Sequence, residues 1–200
     1  MSFILMLEAV NLSAGFDHPL FENVSLRLQS GEFVGVYGPS GAGKTTFGRT
    51  LAGLHKPATG VVNVDGRTVP SKGFHPVQYL HQNPQLAMNP RWRVEQIVSE
   101  AMVPSRELAD CIGVASDWLK RYPHELSGGQ LQRVSVLRAL SGKPRFLIAD
   151  EISASLDPIS QAQLWQTLKR IAEQESIGVL VISHDKALLT RVCSSIIQIG

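Results

Sequence analysis

Gly38-Pro39-Ser40-Gly41-Ala42-Gly43-Lys44-Thr45-Thr46 stands between two stretches of different periodicity. Ahead of it, Glu32–Tyr37 (EFVGVY) is a short run rich in Val and aromatics, as a buried strand is. Behind it, Phe47, Leu51 and Leu54 recur at helical spacing. Gly38, Gly43, Lys44 and Thr45 fill the pattern G-x-x-x-x-G-K-[ST] in the strand–loop–helix context that pattern needs. The chemistry follows from the residue types. Glycines let the backbone wrap so that successive N–H groups point at an anion. A helix beginning near Gly43 adds unpaired N–H groups and the positive end of its dipole. Lys44 is placed to reach outer phosphates, and the Thr45 hydroxyl to bind the magnesium that travels with them.

Length and composition bound what surrounds this loop. The chain has 200 residues, 44% hydrophobic and 18% charged, which suits one α/β domain with a small inserted lobe. A net charge of +2 is too small to argue for nucleic-acid binding. Cys111 and Cys193 lie far apart in no metal or redox spacing and are expected to be free thiols in a reducing compartment. No apolar run approaches the roughly 18 residues of a membrane span. The opening Met1–Leu7 is short, lacks a basic flank and runs into a strand pattern, so it does not read as a signal peptide.

Along the chain, residues 4–10 and 24–28 read as strands, with turn signals at Gly15 and His18-Pro19 between them. Phe16 in that turn could stack on a purine ring or simply cover a sheet edge. Residues 61–64 form a strand closed by the hairpin turn Asp65-Gly66, and 77–81 another that leads into Gln82. Residues 84–125 change character: Pro84, Pro90 and Pro104 accompany short helical patterns at about 93–102, 105–112 and 115–121. Leu126-Ser127-Gly128-Gly129-Gln130 precedes a helix over 130–141; Ser127 suits an N-cap, and the glycines expose N–H groups as a second anion-binding end. A capped helix start without a ligand has the same appearance. Phe146–Ala149 is a buried parallel strand ending in Asp150-Glu151, at the strand edge where ligands bind in such sheets. Asp150 suits magnesium and Glu151 suits polarising a water. Ser155-Leu156-Asp157-Pro158 makes a turn, 160–173 a helix, 179–182 a strand ending at Ser183-His184, and helix 186–192 and strand 195–199 complete the pattern.

Taken in order, these residues resemble the ATP-binding-cassette ATPases over essentially the whole chain: an aromatic loop (Phe16), Walker A (Gly38–Thr46), Q-loop (Gln82), LSGGQ signature (Leu126–Gln130), Walker B (Phe146–Asp150, then Glu151), D-loop (Ser155–Asp157) and H-loop (His184). The resemblance implies an α/β P-loop nucleotide-binding domain. Its expected parts are a mostly parallel core sheet, an antiparallel N-terminal β subdomain and an inserted α-helical subdomain, the last over 83–125 and the rest over 1–82 and 126–200. It further implies ATP and Mg2+ as ligands. Glu151 would be the general base and His184 a γ-phosphate contact. Gln82 would sense metal and water, with Thr45 and Asp150 at the metal. Phe16, the Walker A residues Gly38, Pro39, Ser40, Gly41, Ala42, Gly43, Lys44, Thr45 and Thr46, and Asp157 would surround nucleotide. Two cassettes would pair head to tail, with Ser127, Gly128, Gly129 and Gln130 binding the partner's ATP.

Gln82-Asn83-Pro84, Met88-Asn89-Pro90-Arg91-Trp92 and Arg121-Tyr122-Pro123-His124 before the signature are similar to the dipeptide/oligopeptide/nickel importer ATPases, with His81 in place of Phe, Leu131 in place of Arg and a short 60–82 segment. Relatives of that group continue beyond the position of Gly200. The resemblance implies a related second cassette, two membrane permeases docked on the helical lobe, a solute-binding protein acting indirectly, no nucleic acid, and a peripheral place on the cytoplasmic side of the inner membrane. A soluble cassette acting on nucleic acid or the ribosome, or a scaffold in an enzyme complex, are the competing classes.

Overall fold

The computed structural model describes residues 5–16, 18–69 and 75–200. These fall into two compact units: residues up to Tyr79 with Arg145–Glu151 and Ala172–Gly200, and Leu80–Pro144 with Ile152–Ile171.

The first unit contains two sheets. One is antiparallel, in the order β2 (Pro19–Gln29), β1 (Met6–Gly15), β4 (Thr59–Val64) and β5 (Arg67–Thr68). The expected strands at 4–10 and 24–28 extend further than alternation suggested, and Ile4 lies outside the described residues. The polar stretch after Val10 stays in the sheet because the pairing of β1 with β2 shifts register near Asn11, which adopts φ 48, a conformation asparagine tolerates. Asp65-Gly66 turns β4 into β5 with both residues at positive φ, as a two-residue hairpin requires.

The second sheet runs β6 (Val77–Leu80), β7 (Phe146–Asp150), β8 (Gly178–Ile182), β3 (Phe33–Tyr37), β9 (Ser195–Gln198). The pairs β7–β8, β8–β3 and β3–β9 are parallel. Every residue of β7 and β8 is buried, which explains their unbroken apolar runs. Helix α1 (Lys44–Leu51) sends Phe47 and Leu51 fully into the core shared with Leu7, Leu28, Val36, Ile148 and Leu180, and Phe21 meets Phe47 edge to face at 5.4 Å. Gly48 makes this close seat possible, since a Cβ there would lie 2.6 Å from Ile182 Cδ1. Helix α6 (Lys186–Val192) is capped by Asp185, whose Oδ1 accepts from the Leu188 amide at 3.0 Å.

The second unit is helical: α2 (Val94–Val98), α3 (Arg106–Ile112), α4 (Gly128–Ser141) and most of α5 (Pro158–Glu175). The helix expected over 93–102 stops at Val98, and 115–121 contains only a tight turn at Trp118–Lys120. Arg133 Nη1 donates to the Ile112 carbonyl at 2.7 Å and so closes the open end of α3, while Arg138 pairs with Glu100. Helix α4 starts two residues before the expected 130 because Ser127 and Gln130 form a reciprocal cap.

Candidate functional site

The loop between β3 and α1 is shaped by its glycines. A Cβ on Gly38 would lie 2.1 Å from the Ile199 carbonyl oxygen, and Gly41 and Gly43 hold φ of 84 and 86. Lys44 is the first helical residue, and its Nζ donates to the carbonyls of Gly38 and Pro39 at 2.8 Å each, strapping the loop closed. No side chain caps α1 at Gly43, and no acidic residue occupies its first turn. N–H groups without a side-chain cap, a helix dipole and an ammonium group therefore converge at this loop, an arrangement that accepts phosphate.

At the end of β7, Asp150 is 4% exposed. Its Oδ2 accepts from Thr45 Oγ1 at 2.9 Å and from the Tyr79 hydroxyl, whereas its Oδ1 is buried with no partner among the described residues. Burial pushes the Asp150 carboxyl up, and the two hydroxyls pull it back. Burial and the neighbouring carboxylate push the Tyr79 hydroxyl far above its ordinary range, so it remains a donor. A hydroxyl and a carboxylate with one unused oxygen form a hard donor set suited to Mg2+. The described residues contain no group of three or more His, Cys, Asp or Glu able to hold a metal. A cation here would need further oxygens from elsewhere, as Mg2+ held beside substrate phosphates does.

Glu151, at φ 50, begins the turn after β7, one strand away from the end of β8. Its Oε1 accepts from the His184 amide at 2.8 Å and lies 2.8 Å from His184 Nδ1. Its Oε2 accepts from Ser183 Oγ at 3.4 Å. A carboxylate only accepts, so the imidazole proton sits on Nδ1. Glu151 is thus fixed in orientation while the His184 ring stays exposed. Phe16 is 78% exposed and meets His55 edge on at 5.2 Å; His55 in turn bonds the Gly15 carbonyl.

Gln82, Ser127–Gln130 and Asp157 belong to the second unit. Gln82 is exposed just past β6. At the start of α4, a Cβ on Gly128 would meet open space and one on Gly129 only Leu156 at 3.5 Å, so the backbone there is accessible. Asp157 caps α5, accepting from the Ile159 and Ser160 amides at 3.1 and 3.0 Å. The Ser160 bonds hold its carboxyl below the ordinary range. Two contributors escaped the sequence reading. Tyr79 carried one signal, a tyrosine in an otherwise buried strand whose hydroxyl must find a partner. Ser183 carried none, because its contact with Glu151 joins residues 32 positions apart.

A model of the ABC transporter family matches residues 21–154. Among curated proteins, the oligopeptide transport ATP-binding protein OppF of Streptococcus mutans is 32% identical over 217 residues, which cover 96% of this chain and 70% of that one. A putative peptide import ATP-binding protein of Brucella abortus is 35% identical over 86% of this chain and 57% of its own length, so this chain spans little more than half of that relative. A bacterial ABC transporter cassette solved as a dimer superposes with a TM-score of 0.82 at 25% identity, over 96% of this chain and 94% of that one. The family match falls across the glycine loop, the signature and the strand-end carboxylates described above. The chain belongs to the ABC transporter family, as an ATP-binding cassette.

Proposed function

We propose that this chain binds and hydrolyses ATP to energise a membrane importer of oligopeptides. The observation that carries the hydrolytic part is Glu151, held by His184 and Ser183 beside the buried Thr45–Asp150 pair. In this reading Lys44 exchanges the Gly38 and Pro39 carbonyls for the outer phosphates, and the loop Gly38–Thr46 wraps them. Phe16, 78% exposed, stacks on adenine. Thr45 and Asp150 would hold Mg2+, which when bound would neutralise charge on the phosphates. Glu151 orients water and takes its proton as the water oxygen bonds to the γ-phosphorus. The bond from that phosphorus to the β–γ bridging oxygen breaks, giving ADP and phosphate. His184 steadies the γ-phosphoryl oxygens.

Ser127, Gly128, Gly129, Gln130 and Asp157 then serve a second cassette's ATP in a head-to-tail pair, which gives the accessible start of α4 a ligand. The names of the curated relatives favour peptides over nickel or a metal chelate. They support permease subunits as partners and a peripheral place on the cytoplasmic face. Among the described residues no helix is long and apolar enough to cross a membrane.

Substituting Glu151→Gln tests the chemistry. Turnover should fall at least about 100-fold while ATP binding persists and the paired state accumulates. Turnover equal to that of the native chain would remove Glu151 as the base.

A further inference from the structure

Tyr79, only 8% exposed on β6, donates its hydroxyl to Asp150 Oδ2. Thr45 Oγ1 donates to the same oxygen at 2.9 Å. A carboxylate oxygen offers two lone pairs, so these two hydroxyls use up Oδ2. Oδ1 remains buried without a partner among the described residues. The carboxylate therefore has one tethered oxygen and one open oxygen.

We propose that Tyr79 is a positioning residue for the metal-binding carboxylate, tethering Asp150 Oδ2 so that Oδ1 is the oxygen kept for the divalent cation that accompanies ATP. This rests on the reading of Gly38–Thr46 as a metal–nucleotide site. Tyr79 and Thr45 are not equivalent tethers. The Thr45 oxygen is itself a ligand candidate, so its geometry must also answer to the cation, whereas the Tyr79 hydroxyl, which Arg49 also approaches, is bound to the carboxylate without being a ligand candidate. With the phenol hydroxyl gone, one bond would restrain a side chain whose terminal torsion is soft. The open oxygen would then be spread over several positions.

The competing explanation is that the hydroxyl merely finds the nearest acceptor in a buried strand. Metal affinity separates the two. The Tyr79 ring packs on α1, where a Cβ on Gly48 would come 3.3 Å from Cε2, so Tyr79→Phe keeps the packing and removes the hydroxyl, with its bond to Asp150 and its contact with Arg49. The readouts are affinity for a fluorescent ATP analogue in EDTA, and affinity of the nucleotide-bound protein for Mn2+, followed through its paramagnetism. Tyr79→Phe should leave the first unchanged and weaken the second about tenfold, in line with other positioning groups behind metal ligands. Tyr79→Met, also lacking the hydroxyl, should shift Mn2+ affinity in the same direction. Ser153→Ala, which deletes a buried hydroxyl in the other unit, should lower stability without moving it.

Native Mn2+ affinity in both Tyr79 variants, with the native chain showing metal-dependent nucleotide binding, would overturn the proposal. Nucleotide affinity in the native chain that is the same in Mn2+ and in EDTA, and indifferent to Lys44→Ala, would overturn the underlying site reading and the proposal with it.

Discussion

His75 lies just ahead of β6 with Nδ1 3.2 Å from the Val77 amide nitrogen and 2.9 Å from the Val77 carbonyl oxygen. Burial lowers its pKa below the ordinary 6.5, and the bond to the Val77 carbonyl offsets this only in part. The sign of the consequence is fixed by linkage. Below 6.5 the unfolded chain takes up a proton at this residue before the folded chain does, so stability present above 6.5 is lost as pH falls toward the folded-state value. Urea unfolding between pH 8 and 5 should show a steeper loss of stability in the native chain than in His75→Gln, with the two curves parallel above about pH 7. Identical slopes in the acid range would mean the ring titrates normally. His75 also illustrates what sequence left out of sight. Lys44, Thr45, Asp150 and Glu151 were legible because a short motif and a strand end fix them locally. The hydrogen bonds of His75 run to nearby Val77, but its burial is a property of the folded unit, and the partner of Tyr79 lies 71 positions away at Asp150, so no local spacing encodes either.

Elements were legible in type more than in extent. The apolar runs of β7 and β8 and the spacing of α5 were unmistakable, since burial of a whole strand or a helical stripe writes itself into composition. Their ends depend on side chains that satisfy backbone or buried groups, and those are single residues. Asp157 and Pro158 start α5 ahead of the expected residue 160, and Ser153 fixes its underside. The Ser153 hydroxyl oxygen accepts from Trp165 Nε1 and from Gln161 Nε2, each at 3.0 Å. Ser153→Ala would strand a buried indole N–H, at a cost of about 1–3 kcal/mol. Chemical denaturation should show that loss. In Ser153→Ala combined with Trp165→Phe the losses should be less than additive, because the second change removes the orphaned donor. Additive losses would mean the indole finds another acceptor.

At the scale of the molecule, the two units hold different halves of the proposed chemistry. The phosphate loop, Asp150, Glu151 and His184 belong to one, and the start of α4 with Asp157 to the other. Ser127 is occupied by its cap, with its hydroxyl oxygen accepting from the Gln130 amide at 3.4 Å. Beside it, Gly128 faces open space where a Cβ would meet nothing. A helix start so exposed, without an acidic residue in its first turn, is ready for an anion that this chain's own loop is not required to supply. If it serves the nucleotide of a second cassette, damage there must separate binding from turnover. Ser127→Arg in the purified chain should leave ATP affinity unchanged, because Lys44 and the Gly38–Thr46 loop are intact. The same substitution in the complex recovered from native membranes with its permeases should depress ATP turnover by at least about 100-fold, the scale set by losing donors aimed at developing charge. A parallel fall in ATP affinity of the isolated chain would assign the start of α4 to this chain's own nucleotide and exclude the head-to-tail arrangement. Unchanged turnover in the complex would show that the signature end takes no part in hydrolysis.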